Sequence, residues 1–178
     1  MTVKEITEIS GLSAGALALV REDSTSASYL DSLEKQELFQ DAIRFLAYKL
    51  PTDAGIKWAS SCVREMQSPE SKQQKDEPLE ACDRWIKTPG DPTRWAAKEA
   101  ADNAKTAGPS KLVAMAVFLS GRSVTPPGAP EAPPPPYVAQ KMVAGSIVVA
   151  VVSYDPKNAQ DRYKKALTMG KALDQPGA

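Results

Sequence analysis

Seven of the fifteen prolines in this 178-residue chain stand between Pro126 and Pro136, and the most apolar stretch of the sequence follows at once. A run of this kind lacks backbone donors and holds φ fixed. It forms neither helix nor central strand and favours an extended polyproline II path, roughly 3 Å per residue. After it come Tyr137, Val138, Met142, Val143, Ile147, Val148, Val149, Val151 and Val152. A helix apolar on nearly every face is buried on nearly every face, so this segment is expected to be the central helix. Its valine richness keeps a strand open as the alternative. The proline run follows one capped helix and feeds the most buried one, so both sides belong to one core. Residues 124–136 are therefore read as an ordered strap across that core.

The rest of the chain is punctuated in the same way. Leu38, Ala42, Phe45 and Leu46 form one apolar stripe on a helix that begins near Tyr29 and stops at Leu50-Pro51. Thr52 is placed as the cap of the next helix, whose Ile56, Ala59, Val63 and Met66 face inward. Ser68 to Glu77 reads as a polar loop. Leu79, Cys82 and Ile86 mark a third helix, and Asp91-Pro92 opens a fourth that holds Trp95 and ends before Gly108-Pro109. Ser110 opens a fifth, with Gly121 placed to close it in the left-handed conformation. Ala159, Tyr163, Ala166, Leu167, Gly170 and Leu173 share one face of the last. Residues 1–28 are weakly patterned, since Gly11 and Gly15 interrupt any helix, and are read as a loosely ordered N-terminal arm. The expectation is an all-α, single-domain bundle of about six to seven helices over residues 29–173, with a short tail at 174–178.

Charge and composition narrow the partners. Hydrophobic residues make up 42% and charged residues 25%, ordinary values for a folded domain. Lys plus Arg equals Asp plus Glu at 22 each, so the chain has no global basic excess for binding nucleic acid. The final segment is locally basic (Lys157, Arg162, Lys164, Lys165, Lys171), and a solvated helix face is weighed there against a patch for an acidic partner. No run of about 18 apolar residues is present and the start, Met1-Thr2-Val3-Lys4-Glu5, is no signal peptide. A cytoplasmic protein with no membrane partner is expected.

The chain contains no histidine. That removes the usual serine and cysteine triads, histidine-ligated zinc and the commonest general base near neutral pH. No glycine-rich phosphate loop is present. Cys62 and Cys82 are too few and too separated for a disulfide scaffold or a four-ligand zinc site. No catalytic residue, cofactor or metal is expected, and the chain is read as a non-enzyme. For a partner-binding surface the candidates are Trp58, Trp85, Arg122, Pro133, Pro134 and Tyr137. Tryptophan leads interface hot spots, although the core is the default place for each of the three.

Four stretches also resemble a bacterial family catalogued only as a domain of unknown function. They are Ala42-Ile43-Arg44-Phe45-Leu46-Ala47-Tyr48-Lys49-Leu50-Pro51 with Lys57-Trp58-Ala59; Leu79 to Ile86 running on to Pro92-Thr93-Arg94-Trp95-Ala96-Ala97; Ala114 to Ser123; and the proline run entering Lys141-Met142-Val143-Ala144-Gly145. The likeness covers about residues 30–173. The sequence departs from it at Arg122, where a second glycine is frequent, and at Phe118, where tryptophan is common. Members of that family are met in type VI secretion gene clusters. The resemblance thus implies an accessory protein of effector loading, a co-chaperone whose partner is an adaptor, effector or spike component. The runner-up is an immunity protein that neutralises a toxin, and the third reading is an enzyme without histidine. A proline-run ligand for an aromatic groove is the fourth.

Overall fold

The computed structural model describes residues 1–105 and 107–174, so most of the expected tail, 175–178, lies outside the described residues. Eleven α-helices follow one another with no strand among the described residues: α1 (Val3–Ser10), α2 (Ala14–Leu17), α3 (Ser26–Lys35), α4 (Phe39–Lys49), α5 (Thr52–Met66), α6 (Pro69–Lys72), α7 (Glu77–Lys87), α8 (Asp91–Asn103), α9 (Pro109–Leu119), α10 (Val138–Ser153) and α11 (Ala159–Ala172). The all-α bundle is the expected class. The larger helix count has three sources: a helical N-terminal segment, a break before α4, and the single turn α6 inside the polar loop.

Residues 1–28 correct the expectation of a loose arm. Thr2 and Glu5 form a reciprocal capping box that starts α1, and Gly11, at φ 63°, closes it in the left-handed region. Ser13 caps α2 and also donates from its backbone N–H and its hydroxyl to the two carboxylate oxygens of Asp41, each at 2.8 Å. Tyr29 donates its hydroxyl to the Ala16 carbonyl at 2.8 Å. Val3, Ile6, Leu12 and Ala16 are buried beneath these bonds. The anchors are long-range polar pairs, which a reading of local apolar period does not register.

The helix expected from Tyr29 to Leu50 is two helices. Glu37, at φ 57°, turns the chain between α3 and α4. Its N–H reaches the Glu34 carbonyl at 3.0 Å and the Leu38 N–H reaches the Leu33 carbonyl at 2.9 Å, a Schellman closure with glutamate in the glycine position. A side chain in the left-handed region costs about 1–2 kcal/mol. Glu37→Gly is therefore expected to raise stability by about 1 kcal/mol, read as a higher urea midpoint at unchanged slope. A lower midpoint would show that the glutamate side chain makes a contact worth more than the strain.

The helix α10 lies at the centre of the bundle, against α9, α5 and α4, with α11 alongside. It is helical from Val138 to Ser153, which settles helix over strand for this segment, and Val143, Ile147, Ala150 and Val151 are buried. Burial is not complete, however. Val148 and Val149 are only half-buried and Val152 is 40% exposed, so one stripe of this helix remains open. Thr52 is not the cap expected of it. Pro51 holds that position, and the Thr52 hydroxyl instead accepts from the Gln140 amide at 3.1 Å, pinning the start of α5 to the start of α10.

Gly121 is needed for space, not for a left-handed turn. A Cβ there would stand 2.3 Å from Arg94 Nε. That buried guanidinium donates to Asp91 and to the Phe118 carbonyl, both at 2.8 Å, and sits over the Trp95 and Phe118 rings. The strap begins beyond it. Val124 N–H bonds the Ala132 carbonyl at 2.8 Å, Ser123 Oγ accepts from the Ala132 N–H at 3.0 Å, and Thr125 donates to the Pro130 carbonyl at 2.8 Å. These bonds close the first half of the strap into a loop. Pro133 to Pro136 then run on to Tyr137, which enters α10 with φ 58°.

Candidate functional site

The open stripe of α10 forms one wall of a groove of about 440 Å³. Lys141, Ala144, Gly145, Val148 and Val149 come from α10, at helical spacing along one face. The other wall is Gln40, Arg44 and Tyr48 of α4, four residues apart and so also on one face. Ser10 and Gly11 close it at the end of α1. The two walls run antiparallel, because Tyr48 near the end of α4 stacks on Tyr137 at the start of α10, with ring centroids 5.7 Å apart.

Two features mark this groove. Gly145 sits in the middle of a helix, where glycine costs about 1 kcal/mol relative to alanine. A Cβ at Gly145 would meet nothing within 4 Å, so packing does not explain it. At Gly170 the same test gives contacts at 2.6 Å with Trp58 and 2.7 Å with Leu46, and the glycine is required. The second feature is polar. Tyr48 is 1% exposed and Ser10 4% exposed, and neither hydroxyl has a hydrogen-bond partner. A buried unpaired hydroxyl carries a desolvation cost that a bound acceptor would relieve.

The electrostatics have one sign. None of the lining residues is acidic, while Arg44 and Lys141 are cationic. Arg44 spends part of its guanidinium on the Gly11 carbonyl. Burial raises the pKa of the Tyr48 phenol, Arg44 pulls the other way and Tyr137 adds to the rise. The hydroxyl therefore keeps its proton at neutral pH and acts as a donor. An apolar floor with donors and cations along it fits a ligand that is part apolar and rich in acceptors.

None of the partner-binding candidates singled out in the sequence lines this groove, although Tyr137 stacks on Tyr48 of its wall. Trp58 is corrected outright: it is 0% exposed and donates Nε1–H to the Ala166 carbonyl at 2.8 Å, deep between α5 and α11. Trp85 is buried as well, at 9% exposure on α7, and offers no face to a partner. Arg122 is exposed, and its guanidinium pairs with Glu131 at 3.0 Å inside the strap. Pro133 is exposed and Pro134 half-buried on the approach to Tyr137. Arg44, Tyr48, Lys141 and Gly145 were missed as site residues, although all four stand in stretches that carry the family resemblance. The readable signal was a glycine inside the most apolar helix.

Two other surfaces carry less. A polar cleft of about 510 Å³ lies among the starts of α7 and α9, the end of α8 and Tyr154. Its carboxylates are already paired. Asp76 caps α7 and accepts from Gln67 at 2.9 Å and Ser110 at 2.6 Å. Lys75, pairing with Glu77 at 2.8 Å, holds that exposed carboxyl below its ordinary range, the opposite of what a general acid needs. Three of the four cations on α11 are spent in a similar way. Lys165 pairs with Glu65, Lys171 with Glu34 and Asp31, and Arg162 donates to the Met66 and Ala150 carbonyls at 2.8 Å. Cys62 and Cys82 are buried, and burial is the main cause pushing both thiols up to about 12, far from a reactive thiolate.

No single helix among the described residues is long and apolar enough to cross a membrane. No curated protein and no solved structure matches the chain. A family model does match, over residues 29–174, which takes in both groove helices and leaves Ser10 and Gly11 outside. The chain therefore belongs to the family of unknown function DUF6931.

Proposed function

We propose that this protein works by holding a segment of another protein, and that the α4–α10 groove is where it does so. The observation that carries this is Gly145, an otherwise unexplained glycine that leaves the floor of an apolar groove open. Tyr137, stacked on Tyr48, brings the end of the proline strap to the same place. The wider role we give it is that of a co-chaperone beside an adaptor, aiding the loading of a type VI secretion effector. The likeness of the four sequence stretches to a family met in such gene clusters supports that role.

The test is co-expression with the neighbouring adaptor and effector, followed by size-exclusion chromatography. Co-elution is expected for the native chain. Gly145→Leu fills the groove floor while gaining about 1 kcal/mol of helix propensity, so it is expected to fold well and elute alone. Elution of the native chain by itself with every neighbour would defeat the proposal. An immunity role is separated by a toxicity assay: an immunity protein rescues growth of cells making the toxin, whereas a co-chaperone changes only delivery.

A further inference from the structure

We infer that the groove reads a chain end: the free C-terminal carboxylate of a partner polypeptide whose last residues are small and apolar. The inference rests on the groove being a protein-binding site and adds the chemistry of what it takes. The polar groups gather toward the Tyr137 end, where Tyr48 and Lys141 stand, with Arg44 one turn further along α4. The unpaired Tyr48 hydroxyl and two cations match a carboxylate, which offers about four acceptor sites and no donor. The start of α10 also lies at this end with no side-chain cap, so the helix dipole favours the same sign of charge. The other end is apolar, with Val148 and Val149 facing Gln40.

Length decides between a chain end and other carboxylates. From Lys141 to Val149 the α10 wall spans roughly 12 Å at 1.5 Å per residue. That takes three or four extended residues at about 3.3 Å each. The groove is open along its side and carries Gln40 and the Gly11 backbone, which can pair with peptide groups but give nothing to a hydrocarbon tail. A fatty carboxylate would leave those polar groups without partners. The side chain of an internal Asp or Glu would carry the strand onward past Lys141 and Tyr48, beyond the residues that line the groove.

The experiment uses the full chain and fluorescence polarisation. The probe is a fluorescein-labelled pool of hexapeptides with a free C-terminus, the last three positions drawn from Ala, Val, Leu and Ile. Saturable binding is expected, with at least roughly tenfold weaker binding for the same pool ending in a carboxamide. Tyr48→Phe keeps the aromatic stack and removes only the hydroxyl. It is expected to weaken binding severalfold while leaving the melting temperature unchanged or higher, and Lys141→Gln is expected to weaken it at equal stability. Equal binding of the carboxamide pool would overturn the chain-end inference and leave the groove proposal standing, provided that Gly145→Leu abolishes both. Displacement of the pool by sub-millimolar decanoate, with stronger binding of decanoate than of peptide, would overturn it in favour of a lipid. Absence of binding by the free-acid pool at about 1 mM would also overturn it.

Discussion

Trp58→Ala is expected to destabilise the protein by about 3–5 kcal/mol, the range for removing a fully buried large aromatic side chain. The indole is completely enclosed between α5 and α11, and its N–H holds the Ala166 carbonyl at 2.8 Å. Alanine would leave a cavity that two helices of one rigid bundle cannot collapse into, and the transfer energy of the ring would be lost with it. For a chain of this size each kcal/mol lowers the melting temperature by roughly 2–4 °C. A fall on the order of 10 °C is therefore the expected reading, with the urea midpoint falling in parallel. Partner binding per folded molecule is expected to be unchanged. If the loss is below about 1 kcal/mol and binding fails instead, Trp58 is an interface residue and its burial between these helices is wrong.

Gly170→Ala is expected to cost about 2 kcal/mol, although alanine is the better helix former by about 1 kcal/mol. The added methyl would lie 2.6 and 2.8 Å from two atoms of the Trp58 ring and 2.7 Å from Leu46. Leu46 can turn, but the indole is fixed by its hydrogen bond, so α11 must move off α5. The two substitutions are consequently coupled. In a Trp58→Leu background the obstacle is gone, and Gly170→Ala is expected to become neutral or stabilising. Additive costs in this double-mutant cycle would refute the close approach of α11 to Trp58. Gly145 supplies the control, because Gly145→Ala meets no neighbour and is expected to stabilise by up to about 1 kcal/mol.

These two glycines show where sequence reasoning ran out. Gly145 sits in the apolar α10 and Gly170 on the apolar face of α11, and nothing local distinguishes a glycine pressed against an indole from one facing a groove. Trp58 and Trp85 fell on apolar stripes with the core as their default place, and both are buried. Naming them as contact candidates followed residue-type frequency at interfaces, which does not report position. Arg44 and Tyr48 were legible as residues of a family-like stretch. Their role at the groove depends on α10 lying opposite them, and that is a long-range fact.

The helical class, the central place of the segment after the prolines and the lack of a disulfide scaffold or four-ligand zinc site were all determined by the sequence alone. Each follows from local period, proline chemistry or residue type, whose effects act within a few residues. Three things were decided only by the tertiary structure. Asp41 ties down the N-terminal helices through Ser13, and the α3–α4 joint is closed by Glu37 in a glycine position. The third concerns the helix behind the proline run, which is central but keeps one stripe uncovered. A hydrophobicity pattern shows how much surface a helix needs to bury. How much its neighbours cover depends on where α4, α5 and α9 stop, and their packing left the strip from Lys141 to Val149 uncovered.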